Sequence, residues 1–159
     1  MLTDIELKID NQKFVLGTDL NVGWLIKNGF KKVGFITSLF MKKATANIIY
    51  WKKNPSISCF EKFILIPLLK GSSSETDFMF GTSSYIFFSE NKISEIFFQL
   101  IGNKHCSKIL TDSFVRIISE KFGKPNVESS TMTIWNFNDS ILKCGISASS
   151  AYFIWTTQN

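Results

Sequence analysis

Apolar and polar positions alternate strictly at the start of the chain. In "IELKI", Ile5, Leu7 and Ile9 share one side while Glu6 and Lys8 share the other, which predicts a half-buried strand. "DNQ" then turns the chain into "KFVLG", so the first unit reads as a hairpin. Thr18, Asp19 and Asn21 are candidate helix caps, and a short helix through "VGWLIKNGF" follows, closing near Gly29. Residues 32 to 43, "KVGFITSLFMKK", fit either a strand or an amphipathic helix. "ANIIYWKKNPSISCF" predicts a second hairpin with its turn at Lys53, Asn54 and Pro55. "KFILIPLL" predicts a further strand, and Pro67 places it at an edge or an end. "KGSSSETD" is a polar Gly/Ser loop.

The pattern sharpens in the second half. "SSYIFFSENKISEIFFQLIG" predicts a hairpin turning at Glu90 and Asn91. Over residues 107 to 122 the period changes to that of a helix: Leu110, Phe114, Ile118 and Phe122 recur every fourth position, and Ile117 widens the stripe. Ser107 is the candidate cap, Asp112 and Arg116 a candidate surface pair, and Gly123 with Pro125 the stop. "TMTIWNF" and "ILKCGIS" are strands around a turn at Asn138 and Asp139, and "AYFIWTT" is the last strand. The fold class is therefore α+β, with antiparallel sheets and two helices. Residues 1–159 read as a single domain. "IIYWKKNPSISC" and "TIWNFNDSILKC" share aromatics, a polar turn, Ser-Ile and Cys. They suggest two hairpin–helix–hairpin halves, 1–70 and 78–159, joined by the loop 71–77.

Composition supports a folded chain. The 45% hydrophobic and 19% charged residues in a chain of 159 lie far from the disordered class. Three cysteines, an odd number without a close pair, predict a reducing, cytoplasmic setting. "MLTDIELKID" places acids where a signal peptide needs a positive start. No apolar run reaches the roughly 18 residues of a membrane span, so no membrane association is expected. The net charge of +5 is unevenly spread. Residues 27 to 70 hold nine lysines and one acid, and the remainder nine basic groups and twelve acids. That asymmetry predicts a basic face.

Candidate chemistry narrows the choice by what it lacks. His105 and Cys106 are neighbours at a helix start, where adjacent side chains diverge, and the chain has no second His. Cys59, Cys106, Cys144 and His105 hold the inventory of a zinc site without its short C-x-x-C pair, so neither metal nor other cofactor is expected. Glu90, Glu95, Asp112 and Glu120 are scattered over turns and outer faces and read as solubilising groups. "KGSSSETD" and "GTDLNVG" match no phosphate or dinucleotide loop. No catalytic residue is assigned.

The most specific positive feature is "MKKATANIIYWKK". Lys42, Lys43, Tyr50, Trp51, Lys52 and Lys53 interleave lysines with aromatics on a strand, as partner-binding surfaces do. The same pattern suits single-stranded nucleic acid, which is held by stacking and phosphate attraction. "TIWNFN" and "AYFIWTT" carry large residues on both parities, so either helices cover one face and a second sheet the other, or some aromatics lie exposed at an interface, which would favour protein binding. Edge strands such as 63 to 69 leave a homodimer open.

The order "FFSENKISEIFFQLIG", helix, "KFGKP", "TIWNFNDSILKCGIS", "AYFIW", over residues 83 to 157, resembles the layout of small bacterial immunity proteins of polymorphic or contact-dependent toxin systems. The resemblance lies in the layout, and no site residues carry over from it. It implies a non-enzymatic, cytoplasmic, protein-binding chain that neutralises a cognate toxin domain by occlusion. The basic segment departs from the acidic surfaces common among partners of nuclease toxins, which would move such a contact to the acidic remainder. The alternative expectation is a nucleic-acid-binding module using the basic aromatic strand.

Overall fold

The computed structural model describes residues 7–10, 12–19, 21–34, 48–53, 57–59, 63–64, 79–102, 104–147 and 150–158. In chain order the elements are β1 (Leu7–Ile9), β2 (Gln12–Phe14), α1 (Val22–Lys27), β3 (Lys31–Lys32), β4 (Ile48–Lys53), β5 (Ile57–Cys59) and β6 (Phe63–Ile64). They continue with β7 (Met79–Ser89), β8 (Lys92–Gly102), α2 (Lys104–Phe122), β9 (Val127–Glu128), β10 (Met132–Asn136), β11 (Ser140–Ser147) and β12 (Ser150–Thr157). The molecule is α+β. Its main sheet has eight strands in the order β3-β4-β7-β8-β12-β11-β10-β9, and a four-stranded sheet runs β2-β1-β5-β6. Every pairing among the described residues is antiparallel.

The central hairpin forms where the sequence places it. Glu90 and Asn91 both take positive φ, 51° and 64°, the left-handed pair a two-residue turn needs to match strand twist. A bulge at Ser94 follows, with Phe88 opposite Ile93 and Phe87 opposite Glu95. The extra residue puts Ile93 on the same face as Ile96, and both are buried. The Ser94 hydroxyl fills the gap by donating to the Phe87 carbonyl at 3.1 Å.

Register then aligns one apolar row across the main sheet: Tyr50, Ile86, Ile96, Trp155, Leu142 and Trp135. α2 lies on this face and lays Leu110, Phe114, Ile117 and Ile118 against it. The Phe114 ring meets Phe153 edge-on at 4.3 Å, and Phe98 stacks on Phe153 at 5.1 Å. The two buried indoles are satisfied, Trp135 by the Gly123 carbonyl at 3.1 Å and Trp155 by the Ser140 hydroxyl at 3.2 Å. The Trp135 bond ties the end of α2 to β10. Gly123 closes the helix at φ 85°, as its place before Pro125 predicts.

The small sheet and α1 close the core on the same face. Ile9, Phe14, Leu25 and Phe30 join the cluster that holds Tyr50 and Phe88. Asn21 caps α1 by accepting from the Trp24 amide at 3.2 Å. Asp10, at positive φ in the turn between β1 and β2, receives Lys52 of β4 at 2.5 Å. The Lys52 ammonium also lies 5.9 Å from the centre of the Phe30 ring. One side chain therefore bridges the small sheet, the loop after α1 and the main sheet.

Three expectations change. Residues 48–59 are not a hairpin: β4 pairs with β3 and β7, while β5 pairs with β1 and β6. The matching segment in the second half, β10 with β11, is a true hairpin, so the two halves are built differently. Ser107 is no cap. α2 starts at Lys104, and Ser107 is a small buried residue on the stripe that carries Leu110 and Phe114. Asp112 pairs backward with Lys108 at 2.7 Å, and Arg116 reaches forward to Glu120 at 3.7 Å, in place of an Asp112–Arg116 pair. The 71–77 loop and most of 63–69 lie outside the described residues. Among the described residues, no helix is long and apolar enough to cross a membrane.

Candidate interaction face

The main sheet has a second face, turned away from α2, and strand alternation decides which residues reach it. β4 divides its four candidate residues evenly. Tyr50 points into the core, where its ring meets Phe88 at 5.9 Å, and Lys52 is committed to Asp10. Trp51 and Lys53 point to the outer face. Lys42 and Lys43 lie outside the described residues. The six positions therefore do not form one surface, because a strand cannot present consecutive residues to the same side.

The structure assembles a different set around Trp51. Register places Lys31, Trp51, Tyr85, Phe97, Ile154 and Lys143 side by side on six neighbouring strands. Trp51 stacks near Tyr85 at 6.4 Å, and Tyr85 tilts against Phe97 at 5.6 Å. All three rings are half-buried and pack against a second buried cluster on the same face, Val33, Ile49 and Phe87. At about 4.8 Å per strand, the row spans about 24 Å from Lys31 to Lys143. Lys53 stands one row away, opposite Ser83.

The charge on this face has one sign at its surface. Among the described strand positions that share it, Lys31, Lys53, Lys92 and Lys143 are the cations and Glu95 is the acid, and Glu95 is only 2% exposed. Tyr152 lies on the same face over Gly145. Its phenol is held above the ordinary range by burial, and secondarily by the negative charge Cys144 would carry.

The remaining candidates stay apart. Asp112 and Glu120 sit on the exposed side of α2, each beside a cation, and Glu90 is in a turn. His105 and Cys106 fall in the first turn of α2, and their side chains are outside those described. Cys144 is fully buried on the helix-facing side of β11, and burial pushes its thiol up to about 12, with Asp112 adding to the rise. A thiol so held is not a nucleophile at neutral pH. Among the described residues, no three of His, Cys, Asp and Glu gather as a metal would need.

Sequence reasoning found Trp51 and Lys53 but missed Tyr85, Phe97, Lys31 and Lys143. The signal was present as large side chains on both parities of residues 83–89 and 95–99. What was missing was the register, which joins β4 to β7 and β8 to β12 across long stretches of chain. No family model, curated protein or solved structure matches the chain.

Proposed function

We propose that this chain is a protein-binding module that acts by covering its partner, with the outer sheet face as the contact. The observation that carries this reading is the row Trp51–Tyr85–Phe97, three adjoining half-buried rings bounded by Lys31 and Lys143. Trp and Tyr supply large rigid contact area and dominate binding energy where they cluster. A rim of lysines around them selects a partner that is apolar at the centre and acidic at the edge. Among the described residues, the main sheet ends in two-residue exposed strands, β3 and β9, which favours contact by face over strand addition. The finer reading is an immunity protein that occludes a cognate toxin domain. It rests on the layout resemblance over residues 83 to 157.

A second reading shares the same face. Stacked aromatics between lysines also suit single-stranded nucleic acid. The test is capture by the tagged chain from native lysate, with and without nuclease, beside the double variant Trp51→Ala/Tyr85→Ala. The proposal expects one stoichiometric protein that survives nuclease and is lost with the variant. Recovery of nucleic acid, with partners lost on digestion, would replace it by the second reading. Capture unaffected by the variant would remove the face from both.

A further inference from the structure

The apolar row of the outer face does not end at Lys143. Register carries it on to Ile134 of β10 and to Val127 of the edge strand β9, where Val127 is 46% exposed. Lys143 therefore lies inside a stripe that crosses the sheet, with Ile154 on one side and Ile134 on the other. Ile141, two residues away along β11, adds a third isoleucine on the same face.

Lys143 differs from the other cations of this face. Lys31, Lys53 and Lys92 are exposed, whereas Lys143 is half-buried. Among the described residues, no acceptor holds its ammonium. The acid of the face, Glu95, is buried on β8, two strands away. A second unpaired donor stands beside it. Tyr152 lies opposite Gly145, which makes it the diagonal neighbour of Lys143. Such neighbours are about 7–8 Å apart, within reach of an aromatic and a long side chain. The Tyr152 hydroxyl sits over Gly145, 2.5 Å from where a Cβ would stand, and makes no hydrogen bond among the described residues. Burial holds the phenol above its ordinary range, so at neutral pH it keeps its proton and can donate.

An ammonium in open water needs no protein partner. A protein that covers the row removes that water, and burying an unpaired charge costs more than one apolar side chain offsets. Lys31 sits on the edge strand β3, and Lys53 and Lys92 sit at strand ends, so their charges stay in water at the rim of a contact. Lys143 is three strands in from the β9 edge, behind Ile134 and Val127. A carboxylate is the group with which a protein neutralises such a charge, and its two oxygens accept from both donors at once. We propose, on the reading of the outer face as a protein contact, that the partner seats an Asp or Glu carboxylate between the Lys143 ammonium and the Tyr152 hydroxyl, inside the apolar row.

The test uses the full chain and the nuclease-resistant protein it captures. Carbodiimide coupling condenses a carboxylate with an adjacent lysine amine, the water lost being taken up by the carbodiimide. Peptide mapping should pair Lys143 with an Asp or Glu of the captured protein. In binding kinetics, Lys143→Met, which keeps the stem and removes the charge, should weaken affinity about thirtyfold or more, mainly through faster dissociation. Lys143→Arg should recover most of that loss, and Tyr152→Phe should cost about fivefold. Lys53→Gln, at the exposed rim, should stay within about threefold of the parent. If Trp51→Ala/Tyr85→Ala abolishes binding while folded Lys143→Met stays within about threefold, no carboxylate sits at Lys143 and the outer face stands as the contact. Coupling through Lys31, Lys53 or Lys92 alone has the same meaning. If both variants bind as the parent does, or if nucleic acid alone is captured, the protein contact on this face and the carboxylate at Lys143 are overturned together.

Discussion

Gly145 shows how tightly single positions are specified. A Cβ there would stand 2.3 Å from the Thr131 carbonyl oxygen and 2.5 Å from the Tyr152 hydroxyl. The first contact is with backbone, which cannot swing away, and the second is with a ring tip. Gly145→Ala should therefore lose about 1–3 kcal/mol, seen as a lower urea midpoint with an unchanged slope. Adding Tyr152→Phe removes only the hydroxyl clash and leaves the ring carbon at 2.7 Å and the carbonyl, so the double variant should remain well below the parent; full recovery would place the strain on the hydroxyl alone. Cys144, the preceding residue, makes a prediction in pH. Its thiol is raised from 9.0 to about 12 in the folded chain, chiefly by burial. Below 9.0 both folded and unfolded chains keep this proton and the full stability is present. Above 9.0 the unfolded chain loses it first, so stability falls as pH climbs toward 12, by up to about 1.4 kcal/mol per pH unit. Urea unfolding of the parent and Cys144→Ala between those values should converge as pH rises. Parallel curves would show that burial of the thiol contributes nothing to the alkaline loss.

Two adjacent lysines on β4 separate structural from binding roles at the level of the element. Lys52 holds Asp10 and lies beside Phe30, so Lys52→Ala should lower stability by about 1 kcal/mol. Lys53, exposed on the other face, should change stability by less than about 0.5 kcal/mol when replaced by Ala. Equal losses in chemical denaturation would contradict the division of β4 between its faces. The same strand shows what the sequence can and cannot convey. The β7–β8 hairpin was legible because its turn is local: Glu90 and Asn91 adjoin two apolar runs. α2 was legible because its stripe repeats every fourth residue and stops at Gly123. Residues 48–59 looked equally local, with Asn54 and Pro55 between two runs, yet β4 pairs with β7 and β5 with β1. Apolar side chains on both parities of β4 fit several neighbours, and the one it takes, β7, lies far along the chain, with Ile48 opposite Phe88. The candidate face suffered the same loss. Each of its strands was readable, but the row they form exists only in the register between them.

For the whole molecule, the two sides of the main sheet carry different work. The helix side holds the main core, and the outer side holds a smaller buried cluster, Val33, Ile49 and Phe87, with three half-buried rings packed against it and lysines in the neighbouring positions. If the outer side is the contact, energy and charge should be separable by substitution. Trp51→Ala should cost a partner about 2 kcal/mol or more, roughly a thirtyfold loss of affinity, expressed mainly in the dissociation rate. Replacing Lys31, Lys53 and Lys92 together by Gln should act elsewhere. For a protein partner, it should slow association and flatten the salt dependence of that rate while leaving dissociation nearly unchanged. For a single-stranded nucleic acid, the slope of log affinity against log salt should itself shrink by about two, since each phosphate contact contributes about 0.7. Kinetics of the captured partner at several salt concentrations tell these apart. Substitutions on the exposed side of α2, such as Asp112→Asn, serve as the control, because they lie across the sheet from the row. If the α2 control weakens binding as much as Trp51→Ala, the partner docks on the helix side and the aromatic row belongs to the packing of the chain itself.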